Sequence, residues 1–182
     1  MNTSNLRPVL FGIFLAVSTF AALTPSWAGD STNFFEKPYV FENEESAKIK
    51  LSQWQNEDVV VAFAFTTCRI TCPQVMRQLS KIQKIMDQKS VKGEILFISI
   101  DPENDSPARL AIFKKDHKIT SSRWHFLRGN LDETKKLAQL LNFGFNTSDE
   151  HIWHDRKVFV VGKDGQVRAT LKGFDADLSR LF

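Results

Sequence analysis

The sequence predicts an α/β domain, with a mixed β-sheet, helices on both faces and a C-terminal antiparallel hairpin. Three observations predict it. Two continuous apolar, β-rich runs, VVVAFAF at 59–65 and ILFISI at 95–100, lack polar alternation. That pattern marks strands covered on both faces. Segments with apolar residues at helical spacing follow each run. Near the end, Gly162-Lys163-Asp164-Gly165 separates two further β-rich segments, and Asp-Gly is a strong hairpin signal.

Residues 1–28 read as a secretory signal peptide. Arg7 supplies the positive start, 9–23 is apolar, and no acidic residue precedes Asp30. Pro25 breaks the helix, and Ser26 and Ala28 put small residues where a signal peptidase reads. An uncleaved anchor is the competing reading. The apolar run is short for the roughly 20 residues a bilayer requires, which favours cleavage. The segment 29–43 is polar and aromatic without a clear period, and is expected to wrap the domain as a leader.

The first strand, 59–65, leads through the loop TTCRITC into a helix from Pro73 to about Gln88. Its stripe is Val75, Met76, Leu79, Ile82 and Met86, and proline suits a first helical position. The strand 95–100 follows. Ser106-Pro107 starts a helix through about His117, with Leu110 and Phe113 inward. Residues 125–127 form a short strand. Asp132 begins a helix to about Asn142, which Gly144 is expected to stop. The strands 158–161 and 167–171 flank the hairpin turn, and 174–182 is expected to start a last helix. The order β-α-β-α-β-α-β-β implies one mixed-sheet domain over 29–182.

Composition narrows the function. In 182 residues the net charge is only +3, and no basic excess points to nucleic acid. Two cysteines exclude a disulfide scaffold and an all-cysteine zinc site. Export places them where thiols meet oxidants, so they are expected to do redox work, bind metal or form one fixed bridge. Cys68 and Cys72 share the loop after the first buried strand, the usual place for chemistry in α/β sheets. Cys72 directly precedes Pro73 at a helix start, where the dipole favours a thiolate, and Arg69 adds positive charge. The spacing suits dithiol, disulfide or chelate.

A third ligand should be one of four histidines. His117 reads as a helix-end residue and His125 as packed. His151 and His154 both precede the strand at 158, and spacing favours His154 only slightly.

The segments FAFTTCRITCPQV, ILFISIDPENDSPARLAIFKKDH, WHFLRGNLDETKKLAQLLNFGF and HDRKVFVVGKDG together resemble the Sco/SenC family, from about Val59 to Gly173. The resemblance implies a thioredoxin-like three-layer sandwich. It also implies a membrane-associated or periplasmic metallochaperone that binds one copper, Cu(I) or Cu(II), per chain. With the export signal the chain is expected to be periplasmic, and it is expected to be a monomer. In that register Cys68, Cys72 and His154 are the ligands, and HDRKVFVVGKDG selects His154 over His151. The implied task is to deliver copper to the dicopper site of cytochrome c oxidase subunit II or another cuproprotein, or to reduce that site's cysteines. An upstream copper donor or thiol reductant would supply it. Two thiolates and an imidazole form a soft set suited to copper. Where many relatives carry Pro-Asp between the cysteines, this chain has Arg69-Ile70-Thr71, a more cationic loop.

The main alternative is a metal-free periplasmic thiol–disulfide oxidoreductase using Cys68 and Cys72. An inert structural disulfide is the bland reading, but so short a loop constrains the unfolded chain little. Met76 lies in the apolar stripe and reads as core. Trp54, Trp124 and Trp153 read as core or partner-facing. Asp101, Glu103 and Asp105 read as charges offsetting the helix dipole at Ser106.

Overall fold

The computed structural model describes residues 32–68, 72–147, 152–173, 176–178 and 181–182. The chain begins with strands β1 (Val40–Asn43) and β2 (Lys48–Lys50), then a 3-10 turn over Leu51–Trp54. There follow β3 (Asp58–Ala64), α1 (Cys72–Gln88), β4 (Gly93–Ser99), α2 (Pro107–Asp116), β5 (Trp124–Arg128) and α3 (Leu131–Leu140). The last elements are β6 (Phe145–Thr147), β7 (Ile152–His154), β8 (Lys157–Val161) and β9 (Val167–Lys172).

Seven strands make one sheet in the order β2-β1-β5-β4-β3-β8-β9, and β6-β7 form a separate ribbon. β3 runs parallel to β4, with Val60 opposite Ile95 and Ala62 opposite Phe97. β4 runs parallel to β5, while β1, β2, β8 and β9 pair antiparallel. The sheet is therefore mixed, with a hairpin at its C-terminal edge.

Burial explains the unbroken apolar runs. All seven residues of β3 are buried, because layers cover both faces. Val60, Ala62 and Ala64 meet Val75, Met76, Leu79, Ile82 and Met86 of α1, with Leu110 and Phe113 of α2 beside them. Val59, Val61 and Phe63 face Leu137 and Ala138 of α3, together with Phe34, Phe35 and Phe41. The two periods, 2 in the strand and 3.6 in the helices, thus meet in a three-layer α/β sandwich.

Local signals place the helix ends. Ser106 caps α2, its hydroxyl accepting from the Arg109 N–H at 3.3 Å. Asn130 caps α3 through its side chain and the Asp132 N–H at 2.8 Å. The expectation that Gly144 stops this helix is corrected. The chain turns at Asn142, whose φ of 52° is left-handed, a conformation asparagine tolerates well. At the β8–β9 turn Gly165 has φ +77°, as its Asp-Gly sequence predicts.

Three further expectations change. The segment 29–43 is more than a wrapping leader, because its end is a strand. Asn43 Oδ1 accepts from the Glu45 and Ala47 N–H groups and turns β1 into β2, and Phe41 is fully buried. The ribbon β6-β7 is also new. Three-residue strands leave too little pattern to read. Of the expected helix at 174–182, the described residues 176–178 and 181–182 are not helical, and the others lie outside the described residues. The signal segment 1–28 lies outside them as well. Among the described residues no helix is long and apolar enough to cross a membrane.

Phe41→Ala is expected to cost about 3–5 kcal/mol, the usual loss for a buried phenylalanine, in urea unfolding. A loss under about 1 kcal/mol would show that β1 only drapes over the core.

Candidate functional site

β3 ends at Ala64, and the next residue, Phe65, is buried at the mouth of the cysteine loop. Its carbonyl accepts two hydrogen bonds. One comes from the Cys72 thiol at 2.9 Å, the other from the Cys68 N–H at 3.3 Å. Cys72 opens α1 and is 1% exposed, whereas Cys68 is partly exposed. Both are free thiols, and their side chains are in hydrogen-bond contact. The structure thus brings the two cysteines together. Arg69 and His151 lie outside the described residues.

A second anchor holds the loop from the α2 side. Asp105 is fully buried, and its carboxyl accepts from the Thr66 N–H at 3.2 Å and from the hydroxyls of Thr66 and Ser99. Arg109 Nε donates to the Thr66 hydroxyl at 3.2 Å. Burial raises the Asp105 pKa, against the pull of the Ser99 and Thr66 hydrogen bonds. The expected dipole-offsetting role for this residue is therefore corrected. Asp105 faces inward and ties the loop's entry to the strand β4 and the helix α2. Sequence spacing gave no hint of it, since its partners are 6 and 39 residues away.

His154 ends β7, opposite Phe145 of β6. Its ring lies 6.0 Å from Phe143 in a near-parallel stack, and 5.9 Å edge-on from Phe65. Nδ1–H donates to the Asp155 carbonyl at 2.7 Å, so Nε2 carries the lone pair. Burial lowers the His154 pKa, only partly offset by Asp155. The imidazole is thus neutral at neutral pH, the form that ligates metal.

Asp155 in turn is fixed. Its Oδ2 accepts from Lys157 Nζ at 2.7 Å and from the Gly144 N–H at 2.9 Å. Those bonds, Lys157 first, lower its pKa. Phe65, Phe143 and Asp155 support the site, yet none carries a sequence signal beyond its nearness to Cys68 or His154.

The Cys72 thiol departs from the helix-start expectation. Burial, followed by the neighbouring Cys68 and Asp105, pushes its pKa from 9.0 up to about 12, although the Phe65 carbonyl pulls downward. That rise is larger than a helix start can offset. A helix dipole supplies about 0.3–1 kcal/mol, up to about 2. Burial wins, and in the metal-free dithiol Cys72 is protonated.

Among the described residues no three His, Cys, Asp or Glu side chains already cluster tightly enough to hold a metal ion. The two sulfurs are together, and His154 stands across the Phe65 ring. Bringing all three onto one ion requires the cysteine loop or the imidazole to shift. The remaining histidines are placed as expected. His117 caps α2 and bonds the Phe113 carbonyl at 2.9 Å. His125 meets Glu94 at 2.8 Å and packs on Trp54. Met76 is core at 3% exposure, and Trp153 is 63% exposed.

Comparison with known proteins gives one consistent result. The family model described as SCO1/SenC matches residues 28–179. The SCO1 protein homolog of Bacillus subtilis is 25% identical over 150 residues, covering 80% of this chain and 78% of that protein. Among solved structures, BsSco is described as having a disulfide switch and as a member of the Sco family of cytochrome c oxidase assembly proteins. It matches with a TM-score of 0.68 and 26% identity, over 81% of this chain and 88% of its own. Arabidopsis thaliana ScoI, solved with copper bound, has a TM-score of 0.68 at 19% identity, over 81% and 92% of the two chains. The fold of these structures is the thioredoxin-like α/β arrangement expected above.

In the metal-free dithiol at pH 8, iodoacetamide is expected to modify Cys68 at least about 100-fold faster than Cys72, as read by peptide mass spectrometry. Equal rates would contradict the buried, protonated Cys72. The stability effect has a definite sign. Because the folded thiol keeps its proton after the unfolded chain has lost it, stability falls as pH rises from 9.0 towards about 12. Cys72→Ser should remove that part of the loss.

Proposed function

This chain belongs to the SCO1/SenC family, and on that premise we propose that it is an exported copper carrier in the assembly of a copper-containing respiratory oxidase. Its ligands are Cys68, Cys72 and His154, and its cargo is one copper ion per chain. One observation carries this reading. The Phe65 carbonyl gathers both cysteines, while the Phe65 ring abuts the half-buried imidazole of His154. Among the described residues, the two thiols and this imidazole therefore converge on one residue.

The donor set fits the cargo. Thiolates and imidazole suit Cu(I), and three protein ligands leave room for an incoming ligand from a target protein. His154 meets the ion as a neutral base, with its ring orientation fixed by the Nδ1–H bond to Asp155. The thiols must give up their protons to ligate, so copper uptake releases protons and tightens as pH rises. Copper occupies solved relatives such as Arabidopsis ScoI. The natural recipient is a copper site with its own cysteines, the dicopper site of oxidase subunit II. Residues 1–28 direct the chain to the periplasm.

A second reading rests on the contact between the two thiols. Cys68 and Cys72 can close a disulfide, passing two electrons and two protons to a target disulfide, which becomes a dithiol. The same pair would then prepare a target's cysteines for metal.

Anaerobic titration of the reduced protein is expected to show tight uptake of one Cu(I) per chain. Cys68→Ser, Cys72→Ser and His154→Ala should each weaken it more than about 100-fold, beyond the loss expected for a supporting hydrogen bond. Unchanged affinity in His154→Ala would defeat the three-ligand assignment. Expressed with its own leader in a bacterium with a periplasm, the chain should be recovered from that compartment beginning at Gly29. Recovery only in the cytoplasm would refute export.

A further inference from the structure

Beside the cysteine loop, α1 forms one wall of a groove of about 460 Å³. Pro73, which directly follows Cys72, lines one end, and Met76 and Ile119 contribute apolar surface. The remaining lining is cationic or polar. Arg77, Lys81 and Lys84 fall at intervals of four and three residues, so they share one face of the helix. His117, at the end of α2, lies in the same groove, and none of the lining residues is acidic.

Arg77, Lys81 and Lys84 make no ion pair among the described residues. The carboxylate next along the helix, Asp87, is 3.8 Å from Arg123 and also accepts from Gln83. By contrast Lys114 of α2 is paired with the mostly buried Glu44. Three cations without a carboxylate partner among the described residues therefore line one wall of this groove. The chain's small net charge conceals them.

We propose that this groove docks an acidic segment of a partner protein and sets that partner's sulfur or copper ligands beside Cys68 and Cys72. This rests on the reading of the two cysteines as the exchanging site. Charge complementarity identifies the occupant. Successive cations stand about 6 and about 4.5 Å apart along the helix axis, so all three lie within the reach of a few residues of an extended chain, about 3.3 Å each. Carboxylates on such a segment pair with the cations, while its apolar side chains rest on Pro73 and Ile119. A recessed groove favours a polypeptide over a flat lipid surface. Opposite charge at this place also speeds encounter and fixes orientation, so it raises the rate of exchange.

The test uses the full-length reduced chain and a synthetic peptide with glutamate at alternate positions. Matched glutamine and lysine peptides, and phosphatidylcholine vesicles containing phosphatidylserine, are the comparisons. In an NMR titration the glutamate peptide should shift the amides of Arg77, Lys81, Lys84 and His117. The effect should fade with added salt. Lys81→Glu combined with Lys84→Glu should weaken binding about ten-fold or more, consistent with several exposed charge pairs acting together, and should leave copper uptake intact. The same shifts should persist in a chain with both cysteines changed to serine, which separates the docking surface from the metal reading. Shifts scattered over the surface, equal binding of the lysine peptide, or loss of charge dependence would overturn the proposal. So would vesicle binding through these residues without peptide binding. Failed copper uptake with intact peptide binding would instead overturn the copper reading.

Discussion

Phe65 is where the interior of the sheet becomes the site. Because β3 is covered on both faces, its direction is fixed along its whole length, and its first residue beyond the ladder inherits that rigidity. The carbonyl of Phe65 points to the sulfur side, where it accepts from Cys72 and Cys68. Its ring points to the side where His154 packs. One residue thus couples the cysteine loop and the strand that carries His154, which are distant in sequence. Moving it would disturb the thiols and the imidazole together, and the core behind it resists such movement.

Around that point the site is strongly desolvated, and desolvation acts on each group according to its charged form. A thiol is held protonated and an imidazole is held neutral. The two effects disfavour charges of opposite sign, and each leaves its own group uncharged. Burial of this kind disfavours a lone thiolate at Cys72. Asp105 contributes by geometry. Its buried carboxyl collects donors from Thr66 and Ser99, so the loop enters the site from a fixed start.

Much of this was legible in the sequence, and the limits have physical reasons. VVVAFAF and ILFISI announce strands buried on both faces, and the α1 stripe is plain at helical spacing. The pair Cys68/Cys72 and the histidine before the strand at 158 carry chemistry that few other residue types offer. Short elements were not legible. β1 and β2 are built by an asparagine turn and one buried phenylalanine, and β6 and β7 hold three residues each. Nor was burial at the helix start. The sequence shows that Cys72 begins a helix, but not that the helix begins inside the core, and that alone reverses the expected bias towards a thiolate. Asp105 was misread for the same reason, since a carboxylate near a cap looks alike whether it faces water or Thr66.

The separation of the β6–β7 ribbon from the seven-stranded sheet gives the molecule two unequal jaws. The heavy jaw is β3 with α1, locked by the parallel ladder and by two packed layers. The light jaw is a ribbon of three residue pairs, braced by the Asp155 carboxylate against Gly144 and Lys157. The strand that carries His154 is thus held by its own ribbon and by the Asp155 brace, with no pairing, among the described residues, to the ladder that holds the cysteine loop's strand.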